Sequence, residues 1–215
     1  MSRLIAIDGL DGSGKGTQSE ILYNYLKEKG VKVRMLSFPT YEAPASTLVD
    51  LYLKGGLGDK PEDTGAYAAS VFFACDRYVS YRTDWEKDVL DSDTVVIANR
   101  YTTANAVHQL SKLPREEWEG FLNWLWDFEF GKLGLPAPDD VIYLEVPPEV
   151  SMSLVDSRGR EKDIHELDAD HLKNSYAAAL YCSERLGWHR ISCAPEGKML
   201  QREQISLKIR EILGV

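Results

Sequence analysis

Cysteine is scarce in this chain: three residues, at positions 75, 182 and 193. An odd, scattered set cannot make a disulfide framework, and no C-x-x-C pair or His/Cys cluster gives a zinc motif. The thiols read as reduced, as in a cytoplasmic protein. Long hydrophobic runs are also missing. Nothing approaches the roughly twenty apolar residues of a membrane-spanning helix. The N-terminus runs directly into a short apolar strand with no secretory apolar region. Positive charge is in deficit, with 25 Lys and Arg against 34 Asp and Glu and a net charge of −9. That excludes the broad basic field of a general nucleic-acid binder, so any phosphate must be met by a few local cations. Repeats, low-complexity segments and linkers are absent. The expectation is one domain of 215 residues, large enough to bury a substantial core.

One stretch dominates what is present, Asp8-Gly9-Leu10-Asp11-Gly12-Ser13-Gly14-Lys15-Gly16-Thr17-Gln18. Gly9 through Lys15 match the phosphate-loop pattern G-x-x-x-x-G-K. Before it lies the apolar run Leu4-Ile5-Ala6-Ile7. After it, Ile21, Leu22, Tyr25 and Leu26 keep helical spacing, and Gly30 stands where a helix C-terminal cap belongs. Strand, loop and helix in this order make a cradle of backbone N–H groups at a helix N-terminus, with Lys15 adding a full charge for the outer phosphates. The residue after the lysine is Gly16 instead of the usual Ser or Thr that binds magnesium, and Thr17 follows one place later. Thr17 and Asp11 are therefore the metal candidates. A carboxylate beside a phosphate cradle is repelled unless something intervenes, and the expectation for Asp11 is magnesium or an acceptor sugar hydroxyl.

The remaining pattern alternates strands and helices. Strands are expected at 31–38, 94–98, 140–146 and 188–193, the middle two as uninterrupted buried runs. Helices are expected at 45–53, 64–90, 103–112, 115–132, 149–157, 168–186 and 199–212. The 115–132 helix carries so many aromatics that it fits either a doubly buried core helix or a subunit interface. The pattern implies an α/β fold of the P-loop NTPase type: a five-stranded parallel sheet flanked by helices, with a small lid near 157–165. Ligands in such sheets lie beyond the carboxyl ends of the strands. This selects the loops 9–15, 38–41 and 99–105.

A GTPase would need an N-K-x-D base reader, which does not occur. A typical ATPase would end an apolar strand in Asp, whereas the 94–98 strand ends in Asn99. Phosphoryl transfer to a second bound molecule fits better. Arg77 and Arg100 lie where guanidinium forks could meet phosphate, and Arg158, Arg160 and Lys162 fall within five residues, as in a lid closing over anions. Phe38 and Phe73 could wall a base or simply fill core.

The whole set resembles the thymidylate (dTMP) kinases among the P-loop nucleoside monophosphate kinases. The resemblance rests on Ile7 to Lys15, Phe38-Pro39-Thr40-Tyr41, Phe73-Ala74-Cys75-Asp76-Arg77, Asn99-Arg100-Tyr101-Thr102-Thr103-Ala104-Asn105, Pro138-Asp139 and the Arg-rich loop. It implies transfer of the ATP γ-phosphoryl group to dTMP, with Mg2+, by a cytoplasmic homodimer. Gly9, Leu10, Asp11, Gly12, Ser13, Gly14, Lys15, Gly16 and Thr17 would bind ATP. Asp11, Phe38, Tyr41, Phe73, Arg77, Arg100 and Asn105 would bind dTMP, with Phe73 stacked on thymine, Arg77 on the base edge and Arg100 on the phosphate. Lys15, Asp11, Arg100, Arg158 and Arg160 would be catalytic. The segment around Ala194-Pro195 would border adenine. Three positions depart from the family pattern. Asn99 replaces the usual Asp before Arg-Tyr. Lys15-Gly16-Thr17-Gln18 is closer to adenylate kinases. Gly12 stands where some members carry arginine, which leaves the lid to supply that cation. The alternatives are a kinase for another nucleoside or nucleotide, or a nucleotide-binding regulator without turnover.

Overall fold

Five parallel strands carry the molecule in a computed structural model that describes residues 2–41, 43–156 and 163–215. The strands are β1 (Arg3–Gly9), β2 (Lys32–Ser37), β3 (Thr94–Asn99), β4 (Asp140–Glu145) and β5 (His189–Ser192), in the order β2-β3-β1-β4-β5. The helices between them are α1 (Lys15–Glu28), α2 (Thr47–Leu53), α3 (Ala66–Ser80), α4 (Glu86–Leu90), α5 (Thr102–His108), α6 (Trp118–Trp126), α7 (Pro148–Asp156), α8 (Ile164–Leu167), α9 (Ala169–Leu186) and α10 (Arg202–Leu213).

Burial explains why the central strands are continuously apolar and the edge strands are not. β1 buries nearly every residue, whereas β2 and β5 at the edges bury one each. Side chains on successive strand positions point to opposite faces. Leu4 and Ala6 of β1 join Val96, Ala98 and Tyr143 in one core, against residues of α5, α6 and α9. Ile5 and Ile7 join Ile97, Ile142 and Leu144 in the other, against α1 and α10. Both faces are covered, as a parallel sheet requires.

The register brings the expected loops together. Asn99 pairs with Ile7 on one side and Ser37 on the other, so β1, β2 and β3 end at one edge. The chain leaves that edge through the phosphate loop, through Phe38-Pro39 and through Arg100.

The expected 115–132 helix is α6 prolonged by a π-helical stretch, Asp127–Lys132. Trp118, Phe121, Leu122 and Leu125 are buried in the core, and none of its aromatic side chains is fully exposed. The core reading therefore accounts for this helix within one chain. The expected lid residues Arg158 and Arg160 lie outside the described residues. The short helix α8 after them was not legible as a separate element; Asp163 caps it by accepting from the N–H groups of His165 and Glu166. Among the described residues no helix is long and apolar enough to cross a membrane.

Candidate active site

The phosphate loop is held open by tight backbone contacts. A side chain at Gly9 would put Cβ 2.7 Å from the Leu144 carbonyl oxygen, so only glycine lets the loop leave the sheet there. Gly14 adopts φ 86° as the N-cap of α1, a left-handed conformation that favours glycine. The buried Asp8 carboxylate accepts from Gly9 N at 2.8 Å and from Thr103 Oγ1 at 2.7 Å, tying the loop to α5. The Leu10 side chain sits wholly in the core, while its carbonyl accepts from Ser13 N and Lys15 Nζ. Ser13 Oγ is buried without a hydrogen-bond partner inside the loop. A buried hydroxyl left so is costly unless a ligand meets it.

Asp11 is the pivot. Its Oδ1 accepts from Lys15 Nζ at 3.2 Å and from Arg100 Nη2. Lys15 and Arg100 already offset this charge without a ligand, leaving the expected magnesium or sugar-hydroxyl contact of Asp11 to the reading proposed below. Burial alone would raise the Asp11 carboxyl, but the charges of Arg100 and Lys15 outweigh it and hold the group well below the usual range. Burial, with the Arg100 charge beside it, lowers the Lys15 ammonium. Arg100 itself sits at φ 64°, a left-handed conformation costing a non-glycine residue about 1–3 kcal/mol. Strain of that kind is retained where the guanidinium must point to a particular place.

A cleft opens beside this triad, with about 470 Å3 of space between its walls and the solvent it opens to. All seven residues expected around the acceptor line it: Asp11, Phe38, Tyr41, Phe73, Arg77, Arg100 and Asn105. Phe38 serves core and cleft at once, since it is only 4 % exposed and packs on Tyr101 and Trp85. Phe73 is half-buried and meets Tyr52 edge-on. Tyr41 is exposed at the cleft. Asp76, beside Arg77, accepts from the Thr40 backbone N–H and hydroxyl and so fixes the segment carrying Tyr41.

The wall formed by Arg77 and Asn105 has a keystone that sequence reasoning missed. Glu129, fully buried, accepts from Arg77 Nε at 2.8 Å and Nη2 at 2.6 Å. The same carboxylate accepts from Thr102 Oγ1 at 2.7 Å and Asn105 Nδ2 at 3.0 Å. A planar guanidinium held by two parallel bonds keeps one orientation. The only signal in sequence was a lone acid between Phe128 and Phe130. His108, Gln109 and His165 also line the cleft and were not anticipated.

Asn99 lies close to the loop, since a Cβ on Gly16 would stand 3.7 Å from its Nδ2. That nitrogen donates to Ser37 Oγ at 2.9 Å, and Oδ1 is buried without a partner.

Comparison with known proteins shows what the chain is similar to. Residues 7–204 match the family model described as thymidylate kinase. A thymidylate kinase of Mycobacterium tuberculosis is 33 % identical over 173 residues, 78 % of this chain and 79 % of that one. A thymidylate kinase of Plasmodium falciparum is 30 % identical over 159 residues, covering 72 % and 66 % of the two chains. The solved thymidylate kinase of Candida albicans superposes with TM-score 0.73 at 20 % identity, over 99 % of this chain and 91 % of that one. At that identity it shows the shared fold.

Proposed function

We propose, for a chain that belongs to the thymidylate kinase family, that the phosphate loop and the adjoining cleft are the donor and acceptor halves of one phosphoryl-transfer site. The family's reaction is ATP-dependent phosphorylation of dTMP to dTDP, and this chain is a phosphotransferase of that kind. The observation that carries the assignment of roles is the shared carboxylate. Asp11 is bonded to Lys15 on the loop side and to Arg100 on the cleft side.

In this reading the loop amides and Lys15 take the ATP phosphates. Gly9 through Thr17 form that cradle. Arg100 takes the dTMP phosphate, with Tyr41 beside it. Phe73 stacks on thymine, Phe38 backs the nucleoside, and Arg77 and Asn105 read the base edge from positions that Glu129 fixes. Incoming phosphates compete with Asp11 for Lys15 and Arg100, which frees its carboxylate toward the acceptor. Arg158 and Arg160 supply cations at the transferring group. Transfer between two positioned phosphates needs charge neutralisation and alignment more than covalent participation by the protein.

Mg2+ is the metal this chemistry uses, and when bound it would neutralise charge on the ATP phosphates. The residues fit a cation that takes oxygen ligands and retains several waters. Asn99 Oδ1 is a buried carbonyl oxygen without a partner beside the loop. Thr17 offers a hydroxyl in the first turn of α1. Asp11 is the weaker candidate because its charge is already met by Lys15 and Arg100.

A homodimer fits the exposed apolar side chains of α2 and α3, among them Leu48, Leu51, Tyr67 and Val79. The free thiols Cys75, Cys182 and Cys193 fit a reducing, cytoplasmic setting. ADP release, measured across a panel of nucleoside monophosphates and unphosphorylated nucleosides, tests the substrate assignment. A clear preference for dTMP is expected. Preference for another acceptor would move the chain to another nucleotide, and tight ATP binding with no turnover would make it a regulator.

A further inference from the structure

The chain has four histidines, and three of them, His108, His165 and His171, are buried together. They come from the end of α5, from α8 and from the first turn of α9. Ring centroids lie 5.4 Å apart for His108 and His165, 5.9 Å for His108 and His171, and 4.5 Å for His165 and His171. One ring nitrogen of each lies within 4.8 Å of one from each of the others.

Outer contacts orient the rings. His165 Nε2 is 2.6 Å from the Tyr52 hydroxyl, which also accepts from Lys112 Nζ. His171 Nε2 is 3.4 Å from Ser175 Oγ. His171 Nδ1 and His108 Nδ1 are both buried with no hydrogen bond. Glu62 Oε1 lies 3.7 Å from His171 Nδ1. Burial and the neighbouring positive charges lower all three imidazoles below their ordinary value. They are therefore neutral at pH 7, the form that binds metal. Three neutral imidazoles meeting in a buried place, two with a nitrogen left unsatisfied, are a costly arrangement for core packing alone.

We propose that His108, His165 and His171 form a buried site for a divalent transition-metal ion of the zinc class, with Glu62 close enough to complete it through oxygen. Zn–N bonds of about 2.0–2.1 Å set tetrahedral nitrogens roughly 3.4 Å apart, so the rings need to draw in by at most about 1.4 Å. Imidazole nitrogen selects Zn, Cu or Ni over Mg, which separates this site from the one that serves ATP. Other ring nitrogens held by hydroxyls are the outer support such ligands need.

The site is coupled to Arg100. Arg100 Nη1 lies 3.1 Å from His108 Nε2, and a guanidinium only donates, so Nε2 accepts and the proton sits on Nδ1. An ion at Nδ1 moves that proton to Nε2, where it would face the Arg100 donor, and an ion at Nε2 must displace Arg100. In both cases the ion competes with Arg100 for His108. The resulting effect on acceptor phosphate rests on the role proposed for Arg100 above; the metal site does not.

The test titrates the metal-free full chain with Zn2+ alone, without nucleotide, against a chromogenic chelator, in a Cys75→Ser background that removes the exposed thiol. One ion per chain is expected. His171→Asn, away from the acceptor cleft, should weaken it about 100-fold or more. His189→Asn, the exposed fourth histidine, should leave it unchanged. Equal affinity in the His171 variant, loss on changing His189, or no stoichiometric binding overturns the proposal. Co2+ in the wild-type background gives a readout independent of any histidine variant: the visible bands of a four-coordinate site with nitrogen and oxygen ligands are expected, and their absence refutes it. In turnover at saturating ATP and Mg2+, Zn2+ should slow the parent and spare the His171 variant. Equal slowing of both refutes the coupling to Arg100 and leaves the binding result to stand or fall separately.

Discussion

Replacing Glu129 by Gln keeps the shape of the side chain and removes its charge, and its consequences follow from four hydrogen bonds. The carboxylate accepts two bonds from Arg77, one from Thr102 and one from Asn105, in a place where it and Arg77 are almost wholly buried. Each oxygen faces two donors, one of them a nitrogen of Arg77. Whichever oxygen becomes the amide NH2 turns a donor toward donors. Arg77 keeps its charge and loses its counter-ion. Breaking a buried pair from one side costs about 3–5 kcal/mol, because the remaining charge is stranded. That is a large part of the roughly 5–15 kcal/mol that holds a domain together. Urea denaturation followed by fluorescence should therefore show a midpoint far below wild type with little change in slope. A second readout separates function from stability. Arg77 and Asn105 lose their common anchor, so KM for dTMP should rise about tenfold or more while KM for ATP stays within about twofold. The double change Arg77→Met with Glu129→Leu removes both charges and should cost less stability than Glu129→Gln alone. A loss under about 1 kcal/mol in Glu129→Gln, with KM for dTMP unmoved, would refute the clamp.

Further outcomes follow from the same contacts. Asp11→Asn leaves the buried cations Lys15 and Arg100 without their common anion, and should lower kcat and the affinity for both substrates, read by steady-state kinetics; an effect on one substrate alone would deny the shared role. Phe73→Ala should weaken discrimination for thymine by about 1–3 kcal/mol, as for a lost base-stacking contact, and unchanged acceptor ratios would return Phe73 to packing. Arg160→Ala should reduce turnover with little change in ATP binding, so an unchanged rate would make the 158–162 stretch a solvated loop. Burial lowers His108, His165 and His171, the last to about 4, with positive neighbours adding to the shift. The unfolded chain then binds more protons below its ordinary histidine pKa of about 6.5, so stability falls as pH drops through that value. With all three contributing the slope would approach roughly 4 kcal/mol per pH unit; Asp163, whose carboxyl burial pushes up to about 6, binds a proton in the folded chain over the same range and takes off about one histidine's share. Denaturation midpoints that are flat from pH 6.5 to 4.5 would contradict that burial.

Much of the fold and cleft could be read from the chain because its signals are local. Leu4 to Ile7 and Val95 to Ala98 are unbroken apolar runs because both faces of the sheet are covered. The rule that ligands lie beyond strand carboxyl ends then brought together loops distant in sequence. What escaped depends on contacts made across long separations. Asp11 looked like a carboxylate in need of a metal or a sugar hydroxyl because its partner Arg100 is 89 residues away. Glu129 is hidden in an aromatic-rich helical stretch, and its partner Arg77 is 52 residues away. The three histidines come from separate helices, so no spacing rule could gather them. The extra turn that separates α8 from α9 is set by two short capping contacts, at Asp163 and Asp168, which are weak signals in a charged segment.

The central claim is that one site holds ATP and dTMP side by side and passes a phosphoryl group directly between them. Incubation with ATP labelled in its γ-phosphoryl group and unlabelled dTMP, in Mg2+, tests it most directly. The account predicts label in dTDP in equal amount to the ADP formed, and negligible ADP when dTMP is omitted. ADP formed at the same rate without dTMP, or label released as free phosphate, would contradict it.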